Sequence, residues 1–133
     1  MKLDELKLDA NLMEDGAWFE YGGGLRFKIA RVGNKLTQER FQKNTGLMAL
    51  ASRRRGGSTE KDDAAWRKIA ADTIVRDWEG LEDSKGKVLK FTPKRCLDIF
   101  EDPETRHILG WVLDCAQEEE GYRKEIAEEA LGN

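Results

Sequence analysis

The sequence predicts an α+β fold, mainly α-helical, in which an N-terminal β-hairpin packs on a small helical bundle. Near the N-terminus, apolar and polar residues alternate with period two on both sides of a glycine triplet, which is typical of a hairpin. From Lys35 onwards, apolar residues recur with helical spacing. The 133 residues have the size of one domain. We therefore expect a single domain with a hairpin region, 1–34, and a helical region, 35–131.

Composition and charge exclude several classes of protein. With 39% hydrophobic residues, four Trp and five Phe, the chain is too apolar and too aromatic for wholesale disorder. A net charge of −3 gives no overall positive field to attract nucleic acid or an acidic membrane. No apolar run approaches the roughly 20 residues that span a bilayer, and the acidic N-terminal segment does not resemble a signal peptide. We expect a soluble cytoplasmic protein with no membrane partner.

The predicted hairpin lies in the stretch AWFEYGGGLRFKIA. Its first strand places Ala17, Phe19 and Tyr21 on one face and Trp18 and Glu20 on the other. The second strand alternates in the same way after the glycine triplet. Because an isolated hairpin is marginal in water, its apolar face must lie on the helices. The leucine-bearing segment before the hairpin is a candidate for an additional edge strand.

Two helices are predicted to follow the hairpin. Thr37 is a candidate N-cap for the first, which should end near Arg53–Arg55 and the following glycine pair. Ser58 or Thr59 should start the second. The apolar face of the second helix is predicted to contain Trp66, Ile69, Ala70, Thr73, Ile74 and Trp78.

A loop bracketed by Trp78 and Phe91 connects the second helix to the C-terminal part. Asp83–Gly86, DSKG, has the composition of a tight turn. Thr92 with Pro93 matches an N-cap followed by proline at the first helical position, and Asp102 with Pro103 repeats that device. The last helix should place Trp111 and, further on, Tyr122 on its apolar face.

The histidine, cysteine and carboxylate residues do not form a known catalytic or metal-binding pattern. His107 is the single histidine, and no motif places a nucleophile beside it. Cys96 and Cys115 lie in apolar helical patterns outside any CxxC pair, so we interpret both as buried reduced thiols. The carboxylates lie on helix polar faces and in turns and do not match a calcium-binding loop. We expect no enzymatic activity, no cofactor and no metal.

Arg53–Arg55 is the one basic run in the chain. These arginines could bind nucleic acid, which makes a small nucleic-acid-binding or regulatory protein one alternative function. Arginines in a last helical turn also complement the helix dipole before a glycine stop. We favour that second interpretation and expect no nucleic-acid partner.

The run from Trp78 to Tyr122 resembles the tail assembly chaperones of long-tailed bacteriophages. Members tend to show Trp-x-Gly-hydrophobic, an acidic-glycine turn, a Phe–Thr/Ser–Pro step, a short helix ending in Asp-Pro, and a final helix closing on an aromatic residue. The matching positions are Trp78, Gly80, Leu81, Asp83, Gly86, Leu89, Phe91, Thr92, Pro93, Leu97, Asp102, Pro103 and Tyr122. Lys90 departs from the pattern, since many members have proline there. The GAWFEY and LRFKIAR stretches are similar to the opening of that family.

The resemblance implies a small, mostly helical protein of the bacterial host cytoplasm that binds the tape-measure protein and keeps it soluble. It would promote assembly of the tail tube around that protein, with the tail tube protein as a further partner, and would be absent from the mature virion. Self-association is an additional hypothesis. A structural head–tail component that remains in the virion is a second alternative.

The family offers no catalytic residues to transfer, so candidates for a partner-binding surface come from the large apolar residues. They are Trp18, Trp78, Leu81, Phe91, Trp111 and Tyr122. For most of these rings, a place in the core is the favoured interpretation. Trp18 is the exception because it shares the polar face of the hairpin with Glu20, and exposed aromatic residues are frequent interface anchors.

Overall fold

The computed structural model describes residues 1–43 and 60–123 and confirms the α+β class. The helices are α1 (Leu3–Leu6), α2 (Ala10–Asp15), α3 (Lys35–Lys43), α4 (Glu60–Thr73), α5 (Pro93–Glu101) and α6 (His107–Gln117), with a 3₁₀ turn at Glu120–Tyr122. The strands are β1 (Ala17–Gly22), β2 (Leu25–Ile29) and β3 (Val75–Glu79). The predictions for Arg53–Arg55 and for a cap at Ser58 or Thr59 lie outside the described residues.

The predicted hairpin is confirmed, but it belongs to a three-stranded antiparallel sheet with strand order β1-β2-β3. Phe27 on the central strand pairs with Phe19 on one side and with Trp78 on the other. The prediction that the second helix continues to Trp78 is therefore wrong. The helix ends at Thr73, and the β-branched residues Ile74 and Val75 lead into a strand. This strand pairs with the edge of β2 that β1 leaves open.

The N-terminal segment forms short helices and not the edge strand suggested by its leucines. The Asp9 carboxylate accepts a hydrogen bond from the Leu12 amide at 2.9 Å and so caps α2. Only Leu8 keeps strand-like pairing, in an isolated antiparallel bridge with Arg123. Local capping at Asp9 therefore starts a helix where a longer strand would have had to continue.

The start of α3 also differs from the prediction. Asn34 is the cap, since its side-chain oxygen accepts a hydrogen bond from the Thr37 amide at 2.9 Å. The predicted cap Thr37 lies inside the helix, with its hydroxyl 2.9 Å from that of Thr73. The Thr73 hydroxyl donates to the carbonyl oxygen of Ile69 at 2.7 Å. Because these hydroxyls are buried, the contact joins α3 to α4 through satisfied polar groups.

The core lies between the sheet and helices α4 to α6. It brings residues from β2 and β3 together with one face of each of these helices. Its largest buried apolar members are Phe27, Ile29, Ile74, Val75, Trp78, Phe100 and Val112. The predicted packing of the hairpin on the helices therefore matches the structure.

Tyr122 connects the end of the described chain to the sheet. Its side chain is fully buried, and its hydroxyl donates to the carbonyl oxygen of Ile29 at 2.8 Å. Its own carbonyl oxygen accepts from the amide of Asp9 at 2.7 Å. Burial raises the pKa of Tyr122 well above its usual range, and the neighbouring Cys115 thiol adds to the shift. The phenol therefore stays neutral in the folded protein at pH values where a free tyrosine ionises.

We expect the protein to lose stability above about pH 10, because Tyr122 ionises there in the unfolded chain and resists ionisation in the folded one. Its contribution is fully present below that pH and falls as pH rises. The urea midpoint measured from about pH 8 to about pH 11 checks this. At pH 8 the free energy of unfolding of Tyr122→Phe should be lower than that of the wild type by about 1–3 kcal/mol, because the Ile29 carbonyl loses its buried donor. The urea midpoint of Tyr122→Phe should then fall less steeply as pH rises. Tyr21→Phe, at an exposed ring, is the control. An equally steep fall in Tyr122→Phe and the wild type would contradict this account.

A candidate partner-binding groove

The loop that carries the chaperone-like motif is held closed by Trp78. The Trp78 indole is 4% exposed and donates from Nε1 to the carbonyl oxygen of Leu89 at 2.7 Å. Its ring meets Phe91 edge-on, with 5.0 Å between centroids, and Phe27 at 6.0 Å. The two aromatic residues that bracket the loop thus contact each other, and Trp78 also packs in the core against Phe27.

Between these rings the chain makes the predicted turn. The Asp83 carboxylate accepts from the amides of Lys85 and Lys87, each at 2.9 Å, and the Asp83 carbonyl accepts from the Gly86 amide at 3.0 Å. Glu82 and Val88 form a single antiparallel bridge across the turn. The motif residues therefore form a hydrogen-bonded local unit.

The helix cap predicted at Thr92 is confirmed. The helix cap predicted at Asp102, before Pro103, is wrong. Thr92 Oγ1 accepts from the Arg95 amide at 3.0 Å, and Pro93 is the first residue of α5. Asp102 ends α5, and its carboxylate accepts from the Glu104 amide at 2.9 Å in a turn. Because this turn comes first, α6 begins only at His107.

The six candidate partner-binding residues are distributed between core and surface. Trp78 and Tyr122 are buried, whereas Leu81, Phe91 and Trp111 are half-buried against the core. Trp18 is 37% exposed on the outer face of the sheet, as the alternation predicted. The guanidinium of Arg26 lies 4.3 Å from the Trp18 ring centroid and also pairs with Glu79 at 2.6 Å. Part of the Trp18 ring is therefore covered by this side chain.

A groove of about 500 Å³ lies on another part of the surface, and sequence reasoning missed it. It runs between α4 and α6, with the end of α5 at its base, and most of its lining is apolar. We call it the α4–α6 groove. Its lining residues are Val32, Asp63, Trp66, Arg67, Phe100, Arg106, Leu109, Gly110, Leu113 and Gln117.

A signal for the groove exists in the sequence of α6. Val112, Cys115 and Ala116 are buried against the core, as the predicted apolar face requires. Leu109 and Leu113, four residues apart, form a second apolar row on the same helix and line the groove. Apolar residues on more than one face indicate that a helix has more than one apolar neighbour.

The two cysteines show no sign of reactivity. Both are free and buried, and desolvation raises the pKa of each thiol, that of Cys115 to about 11. Thiols of this kind stay protonated near neutral pH and are poor nucleophiles.

Among residues 1–43 and 60–123, no group of three or more His, Cys, Asp or Glu side chains is arranged to hold a metal ion. Over the same residues, no helix combines the length and apolarity that crossing a bilayer requires.

Comparison with known proteins identifies the family. The model of the family described as YdaY prophage protein matches residues 27–133, from the middle of β2 to the end of the chain. No match was found among curated proteins or among solved structures. The matched region covers most of the chain, including all three helices around the α4–α6 groove and the loop closed by Trp78. The chain therefore belongs to the YdaY prophage protein family.

Proposed function

We propose that this prophage protein is a tail assembly chaperone. It binds the tape-measure protein in the host cytoplasm, keeps it in solution, and promotes assembly of the tail tube around it. The observation that carries the proposal is the mainly apolar α4–α6 groove in a protein of prophage origin. A groove of this kind suits the apolar face of a client helix.

The loop closed by Trp78 supports the same function. The motif that resembles the tail assembly chaperones contributes a core indole, a hydrogen-bonded turn and the cap of α5. The end of α5 lies at the base of the groove, where Phe100 is a lining residue. The motif thus caps the helix whose end forms the base of the proposed binding surface.

The test is co-expression with the long helical protein encoded downstream in the same prophage, with an affinity tag on this chain. We expect the downstream protein to become soluble and to co-purify. If it stays insoluble and uncaptured while this chain is folded, the proposed function is wrong.

Two measurements separate the proposal from the alternatives. A chaperone should be absent from purified particles by mass spectrometry, whereas a head–tail component would be present. Retention on DNA that weakens with salt and is lost on changing Arg53–Arg55 to alanine would instead support a nucleic-acid-binding protein.

A further inference from the structure

Helix α6 contributes a glycine to the lining of the groove. Gly110 lies between Arg106 and Leu113 in the lining, on the exposed side of the helix. Glycine inside a helix is less favourable than alanine, because it loses more backbone freedom on folding. A Cβ added at Gly110 would meet no atom within 4 Å, so contacts within the described residues do not require glycine here. A missing side chain at this position lets the backbone of a second helix approach closely.

The residues beside Gly110 define an apolar row. Leu109 and Leu113 are half-buried, and Trp66 faces them from α4. Phe41 of α3 holds the Trp66 ring in place, meeting it edge-on with 4.8 Å between the ring centroids. The groove therefore has two walls that the core and α3 hold in place.

The charges in the lining select the partner. Of the three charged lining residues, Arg106 is the exposed one, whereas Arg67 is buried and Asp63 is partly buried. Arg106 is exposed, and its Nη2 donates to the carbonyl oxygen of Glu101 at 2.9 Å. A guanidinium has five N–H donors, so Arg106 can hold that carbonyl and also bind a carboxylate. A partner with lysine at this position would meet like charge.

We infer that the α4–α6 groove binds an amphipathic helix that carries a carboxylate next to its apolar row, with closest approach at Gly110 and the carboxylate at Arg106. The inference rests on the proposed function for the identity of that helix, a segment of the tape-measure protein. The kind of helix, amphipathic with a carboxylate beside its apolar row, follows from the apolar lining and Arg106 alone.

The first test fills the groove. Overlapping peptides of about 20 residues from the tape-measure protein are labelled and titrated with the wild type, Gly110→Trp and Ser84→Trp. Ser84 lies in the exposed turn of the loop and outside the groove, so Ser84→Trp is a matched control for the added ring. We expect Gly110→Trp to weaken binding by about tenfold or more, and Ser84→Trp to leave it unchanged.

Stability measurements show whether the groove is open in the free protein. Since a side chain at Gly110 meets open space, we expect Gly110→Ala to raise the urea midpoint and Gly110→Trp not to lower it. A lower midpoint for Gly110→Trp would mean that the chain itself already fills the groove, and it would overturn the inference.

The second test examines charge with two designed helical peptides that share one leucine row and differ only in flanking Glu or Lys residues. At low salt the wild type should bind the Glu peptide about tenfold more tightly, Arg106→Gln should lose this preference, and Arg106→Glu should reverse it. Equal binding of the two peptides by the wild type, or binding of neither, would overturn the inference.

The outcomes separate the groove from the chaperone function. If wild type and Gly110→Trp capture the full-length tape-measure protein equally well, the groove inference fails and the chaperone proposal stands. If neither captures it, but the Glu peptide binds the wild type and not Gly110→Trp, the chaperone proposal fails and the groove inference stands.

Discussion

Replacing Trp78 by alanine should lower the free energy of unfolding by about 3–5 kcal/mol, a large part of the stability of a domain of this size. Trp78 is almost fully buried, and its ring contacts Phe27 in the sheet and Phe91 at the start of α5. Its indole also supplies the donor for the Leu89 carbonyl. The substitution therefore leaves a cavity and an unpaired acceptor at the place where the sheet and the loop meet.

Equilibrium unfolding in urea measures this loss, with Trp18→Ala as the matched control. Trp18 lies on the outer face of the sheet, 37% exposed, and the Arg26 guanidinium lies over its ring, so its removal should cost about 0.5–1 kcal/mol. Trp78→Phe should fall between the two, because it keeps an apolar ring and loses the hydrogen bond. Equal losses for Trp78→Ala and Trp18→Ala would show that the loop is not held through Trp78.

Replacing Gly80 by alanine should have the second largest effect. Gly80 follows β3 with a φ of +87°, and an added Cβ would lie 2.8 Å from the carbonyl carbon of Gly24 and 3.2 Å from the Cα of Leu25. The backbone conformation alone costs a non-glycine residue about 1–2 kcal/mol. Overpacking against the hairpin turn adds about 1–3 kcal/mol, because the neighbouring atoms are backbone and cannot swing away.

Gly86→Ala separates the two contributions to that loss. Gly86 has a similar φ of +81°, but a Cβ there would meet nothing within 4 Å. It should show the conformational cost alone, measured as the shift of the urea midpoint. If Gly80→Ala and Gly86→Ala lose the same stability, the close approach between the end of β3 and the hairpin turn does not contribute.

The parts of the fold that were predictable from the sequence are those that depend on neighbouring residues. The turn at Asp83–Gly86 and the cap at Thr92 are each completed by hydrogen bonds over a few residues. The hairpin is likewise local, since its two strands are joined by a glycine turn. At these three places the local residue types were sufficient, and the structure has the features where they were predicted.

Strand β3 was missed because two periodicities agree on the same residues. In a continued helix, Trp78 would follow Ile74 on the apolar face, and in the strand it faces the core as well. The sequence therefore places Trp78 inside under either interpretation. The pairing of Trp78 with Phe27 makes this segment a strand and not a helix. These two residues are far apart in the sequence, so no local pattern contains their contact.

The α4–α6 groove was not predictable for a related reason. Trp66, Phe100 and Leu109 come from three helices that the core brings together, and their spacing along the chain has no period. The cap of α3 also depends on a contact between residues that are distant in the sequence. Asn34 and Thr37 are both good cap residues, and the buried contact of Thr37 with Thr73 on α4 determines which one is used.

The contacts of Tyr122 have a consequence for the synthesis of the protein on the ribosome. Ile29 receives the Tyr122 hydroxyl, and Asp9 pairs with the Tyr122 backbone, although both partners leave the exit tunnel much earlier. The N-terminal helices and the hairpin must therefore wait, with apolar surface uncovered, until residue 122 has left the ribosome. A nascent chain stalled before residue 122 should therefore be more sensitive to protease than the released protein.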